Sequence, residues 1–73
     1  VNLDDLEARF DDGASIDLAA LKASGLAKAR GIPVKILGRG ELTKKFTVSA
    51  HKFSASARAS IEGAGGTCVV VED

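Results

Sequence analysis

Several residue types are scarce or missing in this chain. Its 73 residues include no methionine, tryptophan or tyrosine, one cysteine, one proline and three phenylalanines. A single cysteine cannot form an internal disulfide, which is typical of reducing compartments, so we expect an intracellular location. No apolar run approaches the ~20 residues that a membrane-spanning helix requires, and no signal-like segment opens the sequence. We therefore expect a soluble protein that does not bind membranes.

Length and composition limit the chain to one small domain. It is close to the smallest size at which one hydrophobic core holds a fold without disulfides or metal. Apolar residues make up 45% of the chain and charged residues 27%, as in ordinary globular domains and unlike disordered chains. Because the sequence begins at Val1 and lacks methionine, we interpret it as processed or as a fragment, and we favour the fragment. We predict a single domain over residues 1–73.

The motifs of common catalytic, nucleotide and metal sites are also missing. Two G-x-G pairs, starting at Gly38 and Gly63, lack the third glycine of a dinucleotide-binding loop, and no P-loop pattern occurs. His51 and Cys68 are the only soft metal ligands, and the N-terminal carboxylates do not match a calcium loop. His51 and Ser54 would be an arbitrary nucleophilic pair, without an orienting partner or oxyanion site. We predict no enzyme activity, no cofactor and no metal site.

Capping residues and apolar spacing predict three short helices. Each predicted helix follows a residue that caps helix N-termini and ends at a glycine-rich or turn-forming stretch. A loop marked by Gly31 and Pro33 follows the second helix. The helices are expected to begin after Asn2, Asp17 and Ser54 and to end near Phe10, at Gly25 and within residues 62–66.

Three stretches predict β-strands. Residues 34–37 predict a buried strand, and residues 45–50 alternate, with Phe46, Val48 and Ala50 on the inner face. The third stretch is residues 67–71. Because a glycine-rich loop joins the first two, we expect them to pair as a hairpin. The third is a β-branched run, which favours a buried strand, and Cys68 within it is interpreted as a small apolar core residue. The predicted fold class is α/β, with a small mixed sheet packed against about three short helices.

Charge is unevenly distributed along the chain, although the net charge is zero. Residues 1–17 carry six acidic side chains and one basic, residues 18–58 nine basic and one acidic, and residues 59–73 three acidic. A middle segment this basic predicts one positively charged face, which suits a polyanionic partner. The alternative is a solvated surface that the acidic ends balance across the fold.

The basic segment "GRGELTKKFTVSAHKFSASAR", residues 38–58, is the candidate functional site. Its cations fall on a loop, a strand end and a helix start, where backbone N–H groups attract anions and glycines allow close approach. All three aromatic residues occupy core-like positions, which indicates RNA recognition through phosphates and shape and not through base stacking. We leave open whether His51 caps, packs or contacts phosphate. The candidate RNA-binding residues are Gly38, Arg39, Gly40, Lys44, Lys45, His51, Lys52, Ser54 and Arg58.

A protein-interaction module is the alternative function. Its docking surface would be the acidic N-terminal helix, which would face a basic partner. The acidic residues concerned are Asp4, Asp5, Asp11 and Asp12.

Two long stretches of the chain also carry a family resemblance. Residues 35–66 contain the "KILGRGELTKK" loop and a helix running from "AHKFSASA" to "IEGAGG", and residues 1–26 precede them. Together these stretches strongly resemble the C-terminal region of bacterial large-subunit ribosomal protein L-fifteen. Phe46 stands where that family more often has an aliphatic residue.

The resemblance implies a structural, non-enzymatic protein with the fold of that C-terminal domain. It implies binding to 23S ribosomal RNA, contacts with neighbouring large-subunit proteins, and support of subunit assembly on the cytoplasmic ribosome. It implies no cofactor and no small-molecule substrate. The family carries a basic, glycine-rich N-terminal extension that threads into ribosomal RNA, and this sequence does not contain it.

Overall fold

The computed structural model describes residues 1–27 and 33–72. Within these ranges the chain forms three helices and five short strands. The predicted loop residue Gly31 lies outside the described residues. No described helix has the length and apolarity to cross a membrane. The element order is α1 (Leu3–Arg9), β1 (Ser15–Ile16), α2 (Leu18–Ala23), β2 (Lys35–Ile36), β3 (Thr47–Ala50), β4 (Lys52–Phe53), α3 (Ala55–Gly63) and β5 (Thr67–Val70).

The three helices begin at the predicted capping residues. At α2 the Asp17 carboxylate accepts a hydrogen bond from the Ala20 N–H at 2.8 Å. At α3 the Ser54 hydroxyl accepts from the Ala57 N–H at 3.1 Å. At α1 the Asp5 carboxylate accepts from the backbone N–H of the capping residue at 3.0 Å. Side-chain caps of this kind satisfy N–H groups that have no partner inside the helix, which is why they could be read from sequence.

The strands form two small sheets, and every strand pair among the described residues is parallel. The first sheet has the order β1-β3-β5 and the second is the pair β2-β4. The predicted hairpin between residues 34–37 and 45–50 is therefore wrong. The loop between β2 and β3 runs along α1, and β3 pairs with β1 and β5 in the first sheet. The next strand, β4, has two residues and pairs with β2. In that pair Lys35 lies opposite Lys52.

One hydrophobic core joins both sheets and all three helices. The predicted inner face of residues 45–50 is confirmed, since Phe46, Val48 and Ala50 are all buried. Phe10 packs edge-to-face on Phe46, with ring centroids 6.4 Å apart. The fully or nearly buried side chains are Leu3, Leu6, Ile16, Leu21, Val34, Ile36, Phe46, Val48, Ala50, Ala57 and Ile61.

The prediction that the last strand, β5, is buried is wrong. Within residues 1–27 and 33–72 it pairs with β3 alone, so it lies at the edge of its sheet. Val69 and Val70 are consequently 39% and 54% exposed. Cys68 is half-buried and packs against the core, and this burial raises the pKa of its thiol. A β-branched run indicates a strand but does not indicate which position in the sheet that strand takes.

Candidate nucleic-acid interface

The segment from Gly38 to Lys45 runs alongside α1. At the start of the helix, the Leu3 N–H donates to the Leu37 carbonyl at 3.2 Å, and the Asp4 N–H donates to the Arg39 carbonyl at 3.1 Å. These carbonyls satisfy N–H groups of the first helical turn, which have no partner within the helix. The loop is therefore fixed by the same bonds that cap α1.

The two glycines of this loop permit close packing within the fold. Gly40 has φ +98°, a left-handed conformation, and a Cβ there would overlap the Asp4 carboxylate. A Cβ at Gly38 would overlap the Ser56 side chain at the start of α3. The glycines thus let the loop lie between the N-terminal ends of α1 and α3. Their predicted close approach to RNA stays a prediction.

Carboxylates of the acidic N-terminal segment bind backbone amides of the basic segment. Glu7 Oε1 accepts from the N–H groups of Thr43 and Lys44 at 3.1 and 3.2 Å, and Glu7 Oε2 accepts from the Thr43 hydroxyl. The Thr43 hydroxyl bond is the main cause that holds the pKa of Glu7 below its ordinary value. Asp12 accepts from the Lys45 N–H at 2.6 Å. The carboxylates of Glu7 and Asp12 are therefore bound by backbone amides of the basic segment. Most cationic side chains in the described part of that segment take no part in these contacts.

Lys44 is the exception, because its side chain closes the C-terminal end of α1. Its Nζ donates to the carbonyls of Glu7 and Phe10 at 2.7 and 3.0 Å. Carbonyls at a helix end lack partners within the helix and carry the negative end of its dipole. The sequence placed Lys44 among the RNA-binding residues, whereas the structure shows that it also has a role inside the fold.

Three other predicted cations are exposed and extend from the surface. Arg39, Lys45 and Lys52 are exposed, and their side chains make no hydrogen bond or ion pair with any other described residue. Arg58 lies over the Phe53 ring at 5.6 Å.

His51 and Ser54 each have a partner within the domain. His51 Nδ1 accepts from the Val34 N–H at 2.8 Å and so satisfies a backbone donor beside β2. Ser54 is the cap of α3, as described above. Of the roles left open for His51, a structural contact is observed, and contact with phosphate by either residue stays a prediction.

Sequence reasoning missed Lys35 as a member of this surface. The prediction treated residues 34–37 as uniformly buried, but Val34 and Ile36 are buried while Lys35 is exposed opposite Lys52. The alternation of apolar and basic residues around Lys35 was the available signal.

The predicted cations lie in two groups. Arg39, Lys52 and Arg58 lie around the start of α3, because the Gly38 loop packs on that end and β4 leads directly into the helix. Lys45 lies at the other end, where its side-chain carbons come within 4 Å of the position a Gly65 Cβ would take. A nine-residue helix, ~14 Å long, separates the two ends. Within the described ranges, no group of three or more potential ligands is placed to hold a metal ion.

Comparison with known proteins gives a consistent family. The family model for ribosomal proteins 50S-L15, 50S-L18e and 60S-L27A matches residues 1–69. The chain is 56% identical over 66 residues to large ribosomal subunit protein uL15 of Myxococcus xanthus, covering 90% of this chain and 38% of that protein. It is 49% identical over 71 residues to large ribosomal subunit protein uL15 of Lactobacillus acidophilus, covering 97% of this chain and 48% of that protein. The chain thus spans less than half the length of these relatives, and it belongs to the L15, L18e and L27A family of ribosomal proteins.

Proposed function

We propose that this domain is a structural component of the large ribosomal subunit in the cytoplasm. It binds 23S ribosomal RNA, contacts neighbouring ribosomal proteins and helps the subunit to assemble. The family assignment supports the ribosomal role and a non-enzymatic protein. The surface cations supply the chemistry for contact with RNA.

The observation that carries the proposal is the exposed cationic group at the start of α3. Arg39 and Lys52 extend from this region, and Lys35 lies opposite Lys52 in the β2-β4 pair. Cations in such positions neutralise phosphates and release condensed counterions, which favours binding without reading base sequence.

Lys44 and Lys45 contribute differently in this proposal. Lys45 has an exposed side chain and is free to contact phosphate. Lys44 already donates two hydrogen bonds to carbonyls of α1, so an ammonium with three donors has one left for RNA. Lys45 is therefore the stronger phosphate contact of the two.

The test is the salt dependence of binding between the chain and fragments of large-subunit ribosomal RNA. We expect Arg39→Ala and Lys52→Ala each to weaken binding and to reduce the slope of log affinity against log salt by about one. Lys22→Ala is the matched control, since Lys22 is an exposed cation on α2 and outside the candidate site. If both site variants keep the wild-type slope, this surface does not contact RNA.

The acidic-helix docking hypothesis finds little support in the described contacts. Asp5 and Asp12 accept backbone hydrogen bonds, and Asp4 packs beside Gly40. Carboxylates engaged in this way are less available to an external basic partner. Asp11 is exposed, but like Asp12 it lies beyond the end of α1 at Arg9. We therefore do not propose α1 as a docking surface.

A further inference from the structure

Lys35 and Lys52 occupy directly opposed positions on two parallel strands. The register of the β2-β4 pair places Lys35 against Lys52. The Lys52 N–H donates to the Val34 carbonyl at 3.1 Å. The Ser54 N–H donates to the Ile36 carbonyl at 2.9 Å. Because these bonds lie on both sides of Lys35, they fix the register and keep the two lysines opposite each other.

Both lysine side chains leave the same face of the strand pair. Opposed residues direct their side chains to one face, and neighbouring strands lie about 4.8 Å apart. The next pair along is the buried Ile36 and the half-buried Phe53, so the core is on the other face. Lys35 and Lys52 are both exposed. Their ammonium groups can therefore reach a common point in the solvent.

Neither lysine is paired within the described part of the chain. Their side chains make no hydrogen bond or ion pair with another described residue. The segment before α1 lies beside β2, and β5 contacts β4. These neighbours bring carboxylates at Asp4 and Asp5 on α1 and at Glu72 after β5, and none of the three forms an ion pair with Lys35 or Lys52. Two unpaired cations therefore occupy one small area of the surface.

The register of the two lysines is unfavourable for the sheet by itself. Lysine on an edge strand discourages pairing with other chains, which explains a lysine on either strand. It does not explain two lysines in register, because like charges directly opposite each other are destabilising. A staggered arrangement would protect both edges equally well. The register becomes favourable when an anion lies between the two side chains.

A phosphate group has the chemistry to lie between the two lysines. It presents several acceptor oxygens, and ammonium groups donate charge-assisted hydrogen bonds to such oxygens. Because the two side chains begin only one strand spacing apart, one phosphate can accept hydrogen bonds from both of them.

We propose that Lys35 and Lys52 jointly bind a single phosphate of the RNA backbone, with one ammonium group donating from each strand. This inference rests on the proposed function. It adds that the two lysines form one site and do not act as two separate contacts. The site is complete only when β2 and β4 are paired.

The test is a double-mutant cycle on the salt dependence of binding to fragments of large-subunit ribosomal RNA. The slope of log affinity against log salt reports the number of phosphates that the protein neutralises. We expect Lys35→Ala and Lys52→Ala each to reduce this slope by about one. The double variant should also reduce it by about one, because the same phosphate is lost in all three variants.

Arg39→Ala combined with Lys52→Ala is the matched control pair. Arg39 is an exposed cation on the loop between β2 and β3 and is not opposed to Lys52 in either sheet. The two losses should therefore add, and the slope should fall by about two in this double variant.

A further variant moves the charge without removing it. Lys35→Ala combined with Leu37→Lys keeps the net charge and places the new lysine two residues along the same exposed face, since Leu37 is 39% exposed. The new lysine is out of register with Lys52. We expect this variant to keep the reduced slope of Lys35→Ala, and recovery of the wild-type slope would overturn the proposal.

The sum of the single losses decides the outcome of the cycle. The proposal is overturned if the slope of the Lys35 and Lys52 double variant falls by the sum of the two single losses. Additive losses of about one each would leave the RNA-binding surface in place and remove only the shared site. Wild-type slopes in every variant, including Arg39→Ala, would overturn the proposed RNA contact as well.

Discussion

At the scale of single residues, adjacent lysines have different roles. Lys44 donates to two carbonyls at the end of α1, whereas the Lys45 side chain is exposed. The two lysines are identical in sequence, and their different contacts depend on the position of the C-terminal end of α1. The RNA-binding prediction for Lys44 and Lys45 was made from composition and spacing, which do not contain that information.

Alanine substitutions should separate the two lysines. We expect Lys44→Ala to lower the free energy of unfolding by about 1–2 kcal/mol, because two helix carbonyls lose a charged donor. Lys45→Ala should change it by less than about 0.5 kcal/mol, as is usual at exposed positions. Urea unfolding followed by circular dichroism measures both values. A loss of stability in Lys44→Ala as small as the one expected for Lys45→Ala would show that the Lys44 contacts contribute no stability.

At the scale of elements, the contact between α1 and the segment 38–45 organises the domain. Glu7 receives hydrogen bonds from Thr43 and Lys44, so an acidic helix and a basic loop meet through backbone amides. The fold also explains why the loop does not close a hairpin. The loop residues form hydrogen bonds with α1 and therefore do not place β2 and β3 side by side.

This contact should make stability depend on pH. The pKa of Glu7 lies below its ordinary value of 4.5 in the folded chain, so its contribution is present above pH 4.5 and is lost as the pH falls through the lowered folded value. We expect Glu7→Gln to be less stable than the wild type at neutral pH, with the difference narrowing below pH 4.5. Urea unfolding over a series of pH values measures the difference.

Glu41→Gln is the matched control for this measurement. Glu41 is an exposed glutamate of the same segment and makes no hydrogen bond with any other described residue. Its substitution should leave the pH profile of stability close to that of the wild type. A Glu7→Gln profile parallel to the wild type at all pH values would mean that the Thr43 contacts do not lower the pKa of Glu7.

Local signals in the sequence predicted the elements better than their pairing. Asp17 and Ser54 marked helix starts correctly because a cap acts within a few residues of its own position. β1 and β4, with two residues each, are too short to give a periodic pattern. Their parallel partners come from distant parts of the chain, so the strand order and the exposure of β5 could not be predicted from neighbouring residues.

At the scale of the whole molecule, one core supports both sheets. The buried residues of α1, β2, β3 and α3 belong to one cluster, and in the described part of the chain neither sheet has a separate hydrophobic layer. A domain of this size has a free energy of unfolding of roughly 4–11 kcal/mol. The loss of one large core side chain is therefore a sizeable part of the total.

The shared core should make unfolding a single transition. Leu6 of α1 is fully buried, and we expect Leu6→Ala to lower the free energy of unfolding by about 2–5 kcal/mol. The single thiol, Cys68 on β5, provides a second probe far along the chain. Circular dichroism and thiol labelling should report the same urea midpoint in the wild type and the variant. A rise in the labelling rate of Cys68 at urea concentrations below the circular-dichroism transition would show that β5 opens independently of the core.

The pairing of Lys35 with Lys52 has one more consequence. Two ammonium groups on neighbouring strands repel each other, so the β2-β4 pair folds against an electrostatic cost. A polyanion bound to both lysines removes this repulsion. Binding of the polyanion and pairing of β2 with β4 then stabilise each other. The domain is therefore expected to be more stable with a polyanion bound than without one.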